Sequence, residues 1–225
     1  YCAAYTPHEK ILHYPYAAVA GDAIEPGSLT LYDAQQEAGV AAGYHAPHHD
    51  EAIGWVEGWS LTEGRSVLVP AFCVYQPYTS AFDEPPVVQM VTTGLACGAT
   101  IEEAILAGLC EVVERDAAML LWLQSRRVPS LSMTSELPVG VAEAVRRFGA
   151  SARYVHLLDA TSDIRIPTYV AVWDGPIARH SGAVFSSCAK PGAEAAAVGA
   201  ITELAQCLMW AASLIDGETR LPDPK

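Results

Sequence analysis

Two long runs of the chain carry apolar residues at helical spacing, Thr100 to about Gln124 and Ala193 to Ile215. The second is expected to stop at Gly217 and the Pro222, Pro224 pair. A shorter helix is predicted over Val139–Phe148. Strand-like runs lie at Trp55–Ser60 and Ser66–Tyr75, joined by the polar turn Thr62-Glu63-Gly64-Arg65. Val67, Val69, Phe72, Val74 and Tyr75 supply the β-favouring content of the second. Further strands are predicted at Val87–Val91, Tyr154–Leu158 and Thr168–Trp173. Gly21–His49 reads as loop with short irregular pieces, and Ser80–Pro86 as loop. Helices and strands are both abundant without a strict βαβ rhythm. The pattern predicts an α+β fold, a mostly antiparallel sheet packed by long helices.

The helix starting at Thr100 carries the candidate chemistry. Thr100-Ile101-Glu102-Glu103 has the form of a capping box. At roughly 100° per residue, Glu103, Glu111 and Glu114 fall within an arc of about 80°. Ile105, Leu106, Leu109, Val112 and Val113 occupy the opposite side, which is expected to face the core. Such an acidic row is most often a solvated face. Glu111 has Arg115 four residues on, an ordinary surface pairing, whereas Glu103 and Glu114 have only Ala107 and Ala118 there. The lead-in Thr93-Gly94-Leu95-Ala96-Cys97-Gly98-Ala99-Thr100 adds weight to a functional reading. Its glycines would let a ligand approach the backbone and free N–H groups. Carboxylates repel phosphates unless Mg²⁺ stands between them, so the row suggests a metal-bridged nucleotide. No P-loop pattern is present.

Charge and composition narrow the classes. The 225 residues suffice for one large domain. A net charge of −13 argues against nucleic acid as a partner. No run reaches the ~18 uninterrupted apolar residues of a membrane span, and no secretory pattern opens the chain. The six cysteines lack zinc-ligand spacing and read as reduced thiols, so a cytoplasmic setting is expected. Cys97 and Cys110 read as small buried thiols, and Trp122 and Trp210 as core or interface residues. A hydrolase built on His48-His49-Asp50 or Cys188 lacks a recognisable nucleophile–base pair.

The same residues resemble a known family. Thr92 to Thr100, followed by Glu103-Ala104 and Glu111-Val112-Val113-Glu114-Arg115-Asp116, is similar to the central motif of YcaO-domain proteins. Trp55 to Leu61, Val69-Pro70-Ala71, Asp159 to Pro167 and Ala200 to Gln206 extend the resemblance over nearly all of residues 1–225, as one domain. The branch it looks most like is the azoline-forming cyclodehydratases. The resemblance implies that Glu103, Glu111, Glu114 and Glu203 bind ATP through Mg²⁺, with Gln206 one turn beyond. It also implies a precursor peptide as substrate, an E1-like partner protein and a possible homodimer. The chemistry implied is ATP-dependent activation of a backbone amide, closing a Cys, Ser or Thr side chain into an azoline. Three places depart from the family pattern: Thr92-Thr93 stands where Ser-Asn is common, Ala99 where Asn is usual, and Gly199 where arginine is common. They leave open a degenerate, non-catalytic protein that binds a peptide or partner. Tyr1 to Tyr5 resembles the segment after the family's first glutamate-bearing helix, so that helix is expected before residue 1, and the pattern is expected to run past Lys225.

Overall fold

Antiparallel pairing and two 23-residue helices dominate the computed structural model. The structure describes residues 7–29, 32–39, 43–80, 82, 84, 86–87, 92–131, 137–177 and 180–215. The chain divides into two compact units, Tyr1–Thr92 and Thr93–Lys225.

In the first unit, β1 (Leu12–Pro15) leads into a one-turn α1 (Tyr16–Val19) and later a short α2 (Ala34–Ala38). Strands β2 (Ala52–Ser60) and β3 (Arg65–Pro70) form a hairpin whose turn ends on Gly64 at φ 63°. That left-handed conformation suits glycine. The sheet order is β1-β2-β3, all antiparallel, with Trp55 opposite both Leu12 and Pro70. Trp55 is fully buried, and its indole N–H donates to the Tyr14 carbonyl at 2.9 Å. The strand expected over Ser66–Tyr75 stops at Pro70, which has no N–H to continue a ladder, and a 3-10 turn follows at Ala71–Cys73. Of the strand expected at Val87–Val91, residues 88–91 lie outside the described residues, and Val87 is buried without belonging to a strand.

The second unit begins with α3 (Ile101–Leu123) and α4 (Val139–Arg146). Strands β4 (Val155–Asp159), β5 (Thr168–Trp173), the two-residue pair β6 (Pro176–Ile177) and β7 (His180–Ser181), and β8 (Val184–Ala189) follow. Helix α5 (Ala193–Ile215) closes the described part. The expected ends at Gly217 and Pro222 fall outside it.

The main sheet is antiparallel in the order β4-β5-β8, with Val170 opposite both Leu158 and Ser187. Period-2 alternation sends its two faces to different helices. Leu157, Ala171 and Trp173 join Ala197, Ala200, Ile201 and Leu204 of α5 in the larger core cluster. Val170 packs instead with Ala117 of α3 and with Ala160. The fold is α+β, with antiparallel sheets and long helices. Helix α5 has a membrane span's length and mean hydropathy, 1.5 over its best window, yet it contributes one face to this core.

Strand β8 was not foreseen, because Phe185-Ser186-Ser187-Cys188-Ala189 has little β-favouring content. The face of α3 expected in the core is also rotated. Cys110, Val113, Glu114, Ala117 and Ala118 are buried, while Leu106, Leu109 and Val112 are exposed. Small residues let α3 approach β5 and β8 closely, and this takes Glu114 inside.

Candidate functional site

The lead-in to α3 shows how its first glutamate is held. The Thr100 hydroxyl accepts a hydrogen bond from the Glu103 N–H at 3.2 Å. The Glu103 carboxylate accepts from the Ala99 N–H at 2.9 Å, one residue before the N-cap. Glu103 is therefore a cap, as its spacing predicts, though with a shifted partner. The nearby glycines serve packing against α3 as well. A Cβ on Gly98 would lie 2.5 Å from the Ala104 nitrogen, and one on Gly108 would lie 2.8 Å from the Gly94 carbonyl oxygen.

Two turns further on, Glu111 pairs with the Arg115 guanidinium at 3.1 Å. Glu114 follows and is only 7% exposed. One of its oxygens accepts from the Ser187 hydroxyl at 2.8 Å, the other from the Ala189 N–H at 3.1 Å. Strand β8 thus supplies the polar partners that make burial of a carboxylate tolerable. Burial still pushes the Glu114 carboxyl above its ordinary range, with Glu111 and Glu203 adding repulsion; the two hydrogen bonds oppose the rise.

Glu203 projects from α5 into the same place. Its carboxyl is also pushed up, foremost by burial, then pulled back by Arg115 and raised again by Glu111. Glu103, Glu111, Glu114 and Glu203 line one cavity of about 430 Å³, together with Cys110, Cys188, Ala189 and Lys190. That volume falls in the range of small-molecule sites. Gln206 is exposed on the next turn of α5 and does not line it. Thus α3 and α5 bring together the four glutamates singled out from the sequence, at the end of β8.

Sequence reasoning missed Ser187, Ala189 and Lys190, and it singled out Cys188 without placing it beside the glutamates. None stood in a recognisable strand, so nothing marked them as neighbours of the glutamates. Cys188 is pushed up to about 11 and Cys110 is also raised, both chiefly by burial, so these thiols stay protonated at neutral pH. Cys110 is buried as expected, whereas Cys97 is exposed. Trp122 and Trp210 are exposed rather than core, Trp122 stacking on Phe185. His48, His49 and Asp50 are exposed, and no histidine lines the glutamate cavity.

Among the described residues, no three His, Cys, Asp or Glu side chains form a ready-made metal cage. The donors facing the cavity are nonetheless carboxylate oxygens in excess of cations. This set suits Mg²⁺, which commonly takes one or two carboxylates and completes its shell with water and phosphate oxygens.

The raised carboxyls make a testable statement about pH. The folded chain holds these protons to higher pH than the unfolded chain, so their contribution to stability falls as pH rises above the ordinary glutamate value of 4.5. Glu203→Gln removes its share. It should match the wild type in denaturant midpoint near that value and become progressively more stable than it toward neutrality. Parallel profiles would show that Glu203 is not desolvated.

The α+β architecture and an acidic cavity between two long helices define the class, and comparison with known proteins supplies the family. A family model described as YcaO cyclodehydratase, ATP- and Mg²⁺-binding, matches residues 1–225. The chain belongs to the YcaO family. A curated protein from the tfuA 3′ region of Rhizobium leguminosarum bv. trifolii is 36% identical over 171 residues, covering 71% of this chain and 40% of its own length. One from Methanothermobacter thermautotrophicus is 33% identical over 160 residues, covering 68% and 40%. The chain thus spans 40% of the length of these two relatives.

Among solved structures, a heterocyclase in complex with substrate and cofactor aligns with a TM-score of 0.76 at 23% identity, covering 90% of this chain and 28% of that one. At that identity the likeness is one of fold. The YcaO protein of Methanopyrus kandleri bound with AMPPCP and Mg²⁺ aligns with a TM-score of 0.64 at 27% identity, covering 96% of this chain and 51% of that one.

Proposed function

We propose that this chain carries the nucleotide site of an enzyme that activates peptide backbone amides with ATP and Mg²⁺, most specifically a cyclodehydratase forming azolines. The observation that carries this reading is the convergence of Glu103, Glu111, Glu114 and Glu203 on one cavity from two helices distant in sequence. A solvated acidic face would leave Glu114 in water. Here it is buried and satisfied by β8.

Under this reading the four glutamates hold the nucleotide's phosphates through Mg²⁺, which when bound neutralises charge on the phosphate oxygens. Glu114, fixed by two hydrogen bonds, and Glu203, from α5, would be among the residues that hold the metal. In the substrate peptide, a Cys, Ser or Thr side chain adds to the preceding amide carbonyl. Its oxygen takes the γ-phosphoryl group as ADP leaves. Loss of phosphate and of the amide proton then leaves the C=N bond of the azoline. The protein's contribution is positioning and charge compensation. The proposed partners are a precursor peptide and an E1-like protein, in the cytoplasm, with a homodimer as the proposed assembly.

The test is release of phosphate by the protein with its partner and precursor peptide. Release that depends on the peptide supports the reading, and none under any peptide addition overturns catalysis. The alternative of a non-catalytic peptide- or partner-binding protein is favoured by Gly199. A side chain begun there would meet the Cys188 sulfur at 2.5 Å, so the arginine common at that position has no room. A protein that binds peptide with no heat of Mg–ATP binding would establish that alternative.

A further inference from the structure

The cavity holds four carboxylates, yet its one lysine is paired with none of them. Lys190 lies between the end of β8 and the start of α5. Arg115 is spoken for by Glu111 and does not line the cavity, which leaves Lys190 as the cationic residue in its lining. Its ammonium makes no hydrogen bond or ion pair among the described residues.

The chain holds this lysine firmly at its base. The Lys190 N–H donates to the Pro167 carbonyl at 3.1 Å, and the preceding N–H, of Ala189, donates to Glu114 at 3.1 Å. Its stem runs over Gly199, with Cε 3.7 Å from where a side chain at 199 would begin. A glycine there leaves room for the stem, and a fixed base with a guided stem trims the rotamer freedom that a lysine ordinarily loses on binding.

We propose that the Lys190 ammonium is the direct phosphate ligand of this site, engaging nucleotide oxygens that Mg²⁺ does not cover. The inference rests on the nucleotide reading above and assigns within it a role that the glutamates cannot fill. Carboxylates reach a phosphate only through a metal, and Mg²⁺ shields only the oxygens it coordinates. The remaining phosphate oxygens would face bare carboxylates across a cavity of about 430 Å³. A lysine acts on them as a point charge through charge-assisted hydrogen bonds. Arginine could serve in its place, because the requirement is for charge at the end of a long stem.

The opposing account is that Lys190 is a solvated surface charge whose stem merely covers Gly199. Lys190→Met separates the two, since methionine keeps an apolar stem and removes only the charge. Titration of Mg–AMPPCP into the protein should show affinity about tenfold weaker in K190M and largely restored in K190R. Wild-type affinity should also fall more steeply with added NaCl than that of K190M, a difference that a packing role would not produce. K190Q serves as a second neutral variant should K190M fail to fold. Equal affinity in wild type and the neutral variants overturns the assignment while leaving the nucleotide site standing. Equal loss in K190M and K190R overturns the role of charge. No Mg–AMPPCP binding to the wild type removes both the assignment and the reading beneath it.

Discussion

On the proposed nucleotide reading, Glu114→Gln is expected to weaken Mg–nucleotide binding by about a hundredfold while changing unfolding free energy by only about 1 kcal/mol. The two effects separate because opposing terms act on folding. Glutamine leaves one of the two β8 donors, the Ser187 hydroxyl or the Ala189 N–H, without an acceptor. That loss costs roughly 1–3 kcal/mol. The same substitution removes the charge whose burial and repulsion by Glu111 and Glu203 push the Glu114 carboxyl upward, and this relief offsets much of the loss. On that reading binding has no such offset, because a neutral amide is a far poorer Mg²⁺ ligand than a carboxylate. Calorimetric titration of Mg–AMPPCP together with urea unfolding reads both quantities. Unchanged affinity in E114Q would make Glu114 a purely structural acid.

Gly98→Ala is expected to give the largest stability loss of any conservative substitution near the site, about 2–4 kcal/mol. The added methyl would lie 2.5 Å from the Ala104 nitrogen and 2.8 Å from the Glu103 carbonyl carbon. Both are backbone atoms of the first turn of α3, so no rotamer change relieves the clash. The turn must move, and with it go the cap bonds of Thr100 and of Glu103 to Ala99. Gly21→Ala is the control, since a Cβ there meets nothing within 4 Å. Denaturant midpoints of the two variants make the comparison. A loss no greater at 98 than at 21 would show that the lead-in yields easily.

The sequence made much of this architecture legible because its longest elements are locally consistent. Ala193–Ile215 and Thr168–Trp173 run as expected, and Thr100 caps α3 as its spacing predicts. That Glu103, Glu111 and Glu114 share one face was legible in helical spacing, whereas Glu203 joined them only through resemblance. Helical periodicity alone favours a solvated row, because it ranks positions by hydrophobicity and so puts Leu106 and Leu109 inside. The structure buries Glu114 instead, for reasons that lie in another element. Those reasons could not be read locally, since Ser186 and Ser187 of β8 look like loop residues. Ser186 is buried with its hydroxyl donating to the Ala200 carbonyl at 2.6 Å, and Ser187 is buried against Glu114. Polar residues favour this strand because each has a specific acceptor, a form of pairing that propensity does not register.

The bonds that satisfy Glu114 span 73 and 75 residues of chain. During synthesis, α3 leaves the ribosome long before Ser187 and Ala189 exist to receive its carboxylate. Until β8 emerges, that acid must stay hydrated, and α3 cannot settle in its final rotation against the sheet. Assembly of the pocket is thereby tied to the translation of β8. A nascent chain arrested after Trp173 would carry a helix with its acid still in water and without the Ser187 and Ala189 donors that hold it.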